Sequence, residues 1–407
     1  MHQLLAIFID ALGFETIKPD VMPFIHGLSK ELCLLPLKPI LGYSDAIRAT
    51  LFTGTYPDRH GYWIMYKFDP ENSPYRVYKP LKFLDKLPGA LQRGAKTIIS
   101  GVLSNLMRRV GSYSDVSTHN IPYNVLHFFS RTCRRELYEP RALPIPTIFD
   151  ILREEGMKFA YIRSQDVNVF KAVKKLKDED FVLIYLHYLD FAGHRYGLTG
   201  PDYRYFQRAV DLMVRTLIKE LGRKAEHMLI FSDHGMTEPK HYVDLSWLIR
   251  SPEHGLSYLL FLDSTIVHIW YLEPGIKDNL RNVFQRMPYG HILSDEEKKE
   301  LRILFKHRWY GDDVYLLEPD YQIFPNYISL LRPKAMHAYH PGFRHQWGIL
   351  IGEFDGKPSN EPVTMPDITA TMADILGLRK PAYCEGSSLL LWCLFMPPLY
   401  DRPLGNV

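Results

Sequence analysis

The chain has 407 residues, 46% hydrophobic and 23% charged, a balance that buries a large core and excludes wholesale disorder. A formal net charge of +3 gives no electrostatic footing for nucleic acid, and no apolar run approaches the ~18 residues of a membrane span, so neither partner is expected. The four cysteines (Cys33, Cys133, Cys384, Cys393) have no CxxC spacing and read as reduced thiols. No basic, apolar and cleavage-site order follows Met1, so the expected compartment is cytoplasmic.

In chain order, the aliphatic run from Leu4 to Ile9 ends at Asp10 and has the pattern of a strand buried on both faces. Residues 20–30 have the spacing of a short helix, residues 45–53 are helical after Ser44, and Pro57 marks a turn. From 62 to 142 the composition turns basic and aromatic, with an amphipathic helix over 95–109. This stretch reads as an insertion, either a lid over a site or a surface decoration with a solvated basic face. PTIFDILREEG gives a helix closed by Gly156, followed by a strand. A buried strand over 181–188 leads to Asp190, residues 203–221 form a long amphipathic helix, and a strand over 228–231 leads to Asp233. Residues 256–330 read as a smaller α+β subdomain with strand character in YLLFLDSTIVHIWYL and helices in IKDNLRNVFQRM and DEEKKELRILF. GILIGEF (348–354) is again a strand, and PDITATMADILGL is a helix ending near Gly377. Strand–helix alternation of this kind predicts an α/β fold, a mainly parallel sheet with helices on both faces, built from residues 1–61, 143–255 and 331–407.

Acidic and imidazole groups recur at the ends of these strands. Asp10 follows LLAIFI, Asp190 and His194 follow FVLIYLHYL, Asp233 and His234 follow MLIFS, and His337 shortly precedes GILIGEF. A single aspartate after a strand is ordinarily a helix cap or a turn residue. Three recurrences at the carboxyl ends of strands, where open α/β sheets bind ligands, point instead to one shared site. Three carboxylates gathered there repel one another unless a divalent cation lies among them, and mixed Asp/His sets suit zinc or manganese.

These residues carry a resemblance. FIDALG at Asp10, SDAIRATLFTG from Ser44, TYPDRHG (55–61), DFAGH with Asp190 and His194, SDHGM with Asp233 and His234, and MHAYHP (336–341) with His337 resemble the alkaline phosphatase superfamily. Within it they resemble the type I phosphodiesterase/nucleotide pyrophosphatase group, as do PDITATMADILGL and GSSLL near the end. The resemblance implies a hydrolase of phosphate esters with two divalent metal ions, zinc foremost and manganese as the alternative. Asp190, His194 and His337 would hold one ion. Asp10, Asp233 and His234 would hold the other, with Ser44 bound to it as the nucleophile of a phosphoseryl intermediate. The implied substrate is a small phosphate ester, either a nucleotide or a lipid or sugar phosphate. Three positions depart from the pattern. Ile47 stands where many relatives place a phosphate-binding Asn, and Arg48 is the candidate to replace that contact, its alternative being a surface ion pair. His340 and His345 compete with His337 as last ligand. Ala46 occupies the proline position of a sulfatase motif, which speaks against a formylglycine sulfatase. A phosphoryl transferase or mutase on the same scaffold, and a non-catalytic binding module, are the competing functional classes.

Overall fold

The structure is a computed structural model that describes residues 2–87, 91, 94–99, 101–102, 120–133, 135–354 and 362–390. In chain order its strands are β1 His2–Ile9, β2 Cys33–Lys38, β3 Tyr66–Phe68, β4 Phe129–Arg131, β5 Phe159–Arg163, β6 Phe181–Leu186, β7 Ala225–Phe231 and β8 His241–Val243. They continue with β9 Tyr258–Leu262, β10 Ile266–Tyr271, β11 Gly290–Ile292, β12 Asp313–Leu317, β13 Tyr321–Ile323, β14 Gly348–Gly352 and β15 Val363–Thr364.

A seven-stranded sheet in the order β15-β2-β14-β7-β1-β6-β5 forms the centre. Its pairings are parallel except at β14, which runs antiparallel to both β7 and β2. The aliphatic run of β1 is continuous because both of its faces are covered. Leu4, Ala6 and Phe8 enter one apolar cluster, while Leu5, Ile7 and Ile9 enter another. The second cluster is closed by the helices Pro23–Glu31 and Pro201–Leu221. The longer helix turns Val210, Val214, Leu217 and Leu221 inward at helical spacing. Across the first cluster lies a four-stranded antiparallel sheet, β11-β12-β10-β9. The same cluster takes in Trp63, Tyr66, Tyr75 and Tyr78 beside Leu259, Phe261 and Trp270, so residues from 62–142 and 256–330 share one apolar interior with the central sheet.

Several elements differ in extent from their sequence expectation. β6 stops at Leu186, because the Ser164 hydroxyl takes the His187 amide at 3.1 Å; Tyr188 then opens a helix, Tyr188–Tyr196, that carries Asp190. Pro57 does not simply turn the chain but occupies the first position of a short helix, Pro57–His60, a place where its missing N–H costs nothing. The charged helix is only Asp295–Glu300, opened by a capping box at Ser294 and followed by Arg302 in the left-handed region. Of the helix expected over 95–109, residues 95–99 and 101–102 are helical and the rest lies outside the described residues. Among the described residues Cys33, Cys133 and Cys384 form no disulfide, and Cys393 lies outside the described residues. Among the described residues, no helix is long and apolar enough to cross a membrane.

Candidate active site

β1, β6 and β7 are neighbours that run in one direction, so the residues after their last rungs arrive at one edge of the sheet. Asp10 is the residue after β1, and its amide is bound by the Leu186 carbonyl at 2.9 Å. Asp233 and His234 lie just past β7. The Ala11 amide donates to Asp233 Oδ1 at 3.2 Å and the Leu12 amide to Ser232 Oγ at 2.9 Å, which locks the two strand ends together. Asp190 and His194 are four residues apart on the Tyr188–Tyr196 helix and therefore share one of its faces. Two glycines of the motifs permit the approach. A Cβ on Gly193 would meet Met236 Sδ at 2.3 Å, and one on Gly235 would meet the His345 carbonyl oxygen at 2.3 Å. Ala11 and Ala338, which flank Asp10 and His337, have φ of 61° and 65°, conformations uncommon for a residue with a Cβ and typical of constrained sites.

The six residues form one cluster, in which Asp10, Asp233, His234 and His337 are buried and Asp190 and His194 half-buried. His234 Nε2 lies 3.4 Å from Asp10 Oδ1 and 3.5 Å from Asp233 Oδ2; His194 Nε2 and His337 Nε2 lie 3.1 and 3.7 Å from Asp190 Oδ1. The rings of His234 and His337 stack with centroids 3.8 Å apart. Ser44, in the first turn of the Ser44–Thr53 helix, places its Oγ 3.4 Å from His234 Nε2. The helix start adds partial positive charge beside that hydroxyl. Ligand atoms of Asp10, Asp233 and His234 lie within 4.8 Å of one another, as do those of Asp190, His234 and His337; His234 thus belongs to both groups, and His194 joins through Asp190. His340 and His345 stand apart. His340 Nδ1 accepts the Gly342 amide at 3.1 Å, and its nearest charged groups are Lys38, Glu297, His291 and Glu318; His345 faces Glu15.

The electrostatics are those of a cation-binding site. Asp10 Oδ1, Asp233 Oδ2 and Asp190 Oδ1 are buried without a hydrogen-bond partner, a costly arrangement for carboxylates. His234 and His194 direct Nδ1 at the carbonyls of Gly235 (2.9 Å) and Ala335 (2.8 Å). These contacts set the Nδ1–H tautomer and leave each Nε2 lone pair facing the carboxylates, the orientation of a metal-ligating histidine. Burial, with Asp233 and Asp190 close by, pushes the Asp10 carboxyl well above its usual range, and burial pushes Asp233 up to about 7. Asp190 goes the other way. Burial opposes its ionisation, but His194 and His337 hold it below the usual range, and Asp190 in turn raises His194 to about 9 against its own burial. Burial and His234 keep His337 neutral. The orphaned oxygens and the Asp/His donor set fit divalent metal ions.

Sequence patterns did not single out Tyr185, Tyr43 or Thr265, whereas Arg48 was a candidate from the sequence. Tyr185, inside β6, donates its hydroxyl to Asp10 Oδ2. Tyr43 sets its ring edge-on to His337, with centroids 5.5 Å apart, and Thr265 binds the Tyr43 hydroxyl. Arg48 lies one turn into the Ser44 helix. It pairs with Asp45 and sits 5.4 Å over the Tyr185 ring, while its Nε is buried without a partner.

Solved structures share this architecture. A structure of murine ectonucleotide pyrophosphatase/phosphodiesterase 5, an inactive variant in complex with AMP, matches 95% of this chain and 98% of its own at 16% identity, with a TM-score of 0.67. The human protein of the same name matches 94% and 97% at 15% identity, with a TM-score of 0.63. At such identities the likeness establishes the fold. The family model described as type I phosphodiesterase/nucleotide pyrophosphatase matches residues 4–286, more than half of the sequence, and the chain belongs to that family.

Proposed function

We propose that the protein is a metal-dependent hydrolase of phosphodiester or pyrophosphate bonds in small nucleotide-like molecules, with Ser44 as its nucleophile. The observation that carries this reading is the convergence of Asp10, Asp190 and Asp233, each with an orphaned buried oxygen, and His194, His234 and His337 beside Ser44 Oγ. Family membership supports the hydrolytic class, and the AMP complex of the murine relative supports a nucleotide-type substrate.

Asp10, Asp233 and His234 would hold one cation next to Ser44, and Asp190, His194 and His337 the other, with zinc the first choice and manganese the second. Two such cations supply positive charge that lowers the pKa of a coordinated hydroxyl and stabilises phosphoryl oxygens. Ser44 Oγ attacks phosphorus, the ester oxygen departs, and water then cleaves the phosphoseryl bond to restore the hydroxyl. Tyr185 fixes Asp10 through its O–H. Arg48 keeps its guanidinium beside the carboxylate cluster, where it orients the phosphoryl group.

The test is turnover of bis-p-nitrophenyl phosphate and p-nitrophenyl phosphate with zinc or manganese. Diester hydrolysis that falls by about 10³-fold or more in Ser44→Ala, with metal content unchanged, is the expected result. Undiminished turnover in that variant, or purified protein without metal by elemental analysis, overturns the reading. Transfer of the phosphoryl group to an added alcohol without hydrolysis would identify a transferase instead.

A further inference from the structure

The turn between β9 and β10 carries Asp263, Ser264 and Thr265, all buried. This hairpin belongs to the four-stranded sheet, yet its tip reaches the residue before the nucleophile. The Thr265 amide donates to the Tyr43 hydroxyl oxygen at 3.0 Å, and Thr265 Oγ1 lies 3.0 Å from the same oxygen. A threonine hydroxyl has one proton, and Thr265 directs it to the Ala338 carbonyl at 2.8 Å. Its oxygen can then only accept from Tyr43, whose own single proton faces both that oxygen and the Asp263 carboxyl. The Asp263 carboxyl faces the same phenol. One side chain is thus tied to Tyr43, which directly precedes Ser44, and to Ala338, which directly follows His337. The Tyr43 ring closes the loop by packing against the His337 imidazole.

We infer that Thr265 is a positioning residue that holds the Ser44 turn and the His337 turn in one register, so that the nucleophile and the last imidazole of the cluster keep their mutual placement. The inference rests on the reading of Ser44 as nucleophile. Nothing in the sequence motifs includes Thr265. Its role arises from the second sheet docking against the rim of the first. Loss of the hydroxyl leaves the Ala338 carbonyl without its donor, next to a left-handed backbone, and frees the Tyr43 ring. A displacement of that size affects attack geometry more than ground-state binding.

The experiment compares Thr265→Val, which matches the side chain's shape without its hydroxyl, with Thr265→Ser, which restores it. Two readouts are taken on the zinc-loaded protein: kcat and KM for bis-p-nitrophenyl phosphate, and the rate of zinc release to a coloured chelator. Thr265→Val is expected to lower kcat about tenfold with KM changed less than about twofold, and to release zinc about tenfold faster. Thr265→Ser is expected to return both to within about twofold of the parent. A Thr265→Val protein that matches the parent in both readouts overturns the inference. So does a Thr265→Ser protein no better than Thr265→Val, since the methyl packing alone would then account for the loss. Turnover that survives Ser44→Ala removes the nucleophile reading while the zinc-release comparison still decides the role of Thr265. A parent protein that holds neither zinc nor manganese overturns both.

Discussion

Asp233 is fully buried, with one carboxylate oxygen bound by the amides of Ala11 and His234 and the other without a partner. Burial pushes its carboxyl up to about 7 in the metal-free chain, so below that pH the fold keeps a proton that an unfolded aspartate releases at its ordinary pKa. The sign follows by linkage. Stability from this group is full below the ordinary carboxylate range and is lost as pH rises towards 7; Asp10 shifts in the same direction. Asp233→Asn keeps the oxygen that accepts the two amides and removes the charge. Above neutrality the chelated variant is therefore expected to melt no lower than the chelated parent, whereas added zinc raises the melting temperature of the parent more than that of the variant, which keeps only the Asp190, His194 and His337 group. Calorimetry with and without chelator reads both halves. A variant stabilised by zinc as strongly as the parent would remove Asp233 from the ligand set.

At the scale of elements, the site depends on how closely the Tyr188–Tyr196 helix and the turn after β7 approach their neighbours. A Cβ at Gly235 would collide with the main-chain oxygen of His345, which cannot rotate away. A Cβ at Gly193 would meet the end of the Met236 side chain, which can. Gly235→Ala is therefore expected to cost about 2–3 kcal/mol in urea unfolding, and Gly193→Ala distinctly less. Equal losses would show that the Asp233–Gly235 turn has slack. The same elements explain what the sequence disclosed. Asp10, Asp190, Asp233 and their histidines were legible because each follows a run whose apolar period marks a strand, and parallel strands bring their ends to one edge. The helix under Asp190 was not, because its start is decided by Ser164 on the adjoining strand end. Tyr185 was hidden because a tyrosine in an apolar strand has the pattern of a core residue. Tyr43 and Thr265 were hidden because 222 residues separate them and only the packed sheets bring them together.

At the scale of the whole molecule, one apolar cluster runs from β1 through Trp63 to Trp270 in β10. Compact chains with a continuous interior unfold together, so with chelator present the fluorescence of the buried tryptophans and the far-ultraviolet dichroism are expected to follow a single urea transition. Two separated transitions would instead make residues 256–330 an autonomous unit. The antiparallel course of β14 was not legible, since a buried strand has the same composition in either direction; only its pairing with β2 and β7 fixes it. The central position of the His234 ring has a consequence of its own. That imidazole lies face to face with His337 and stands in both candidate donor groups. Were each group to take an ion, the ring placement chosen by the first to arrive would be inherited by the second. Uptake should accordingly depart from the curve of two unrelated vacancies, and the half-loaded molecule becomes a distinct species with its own affinity.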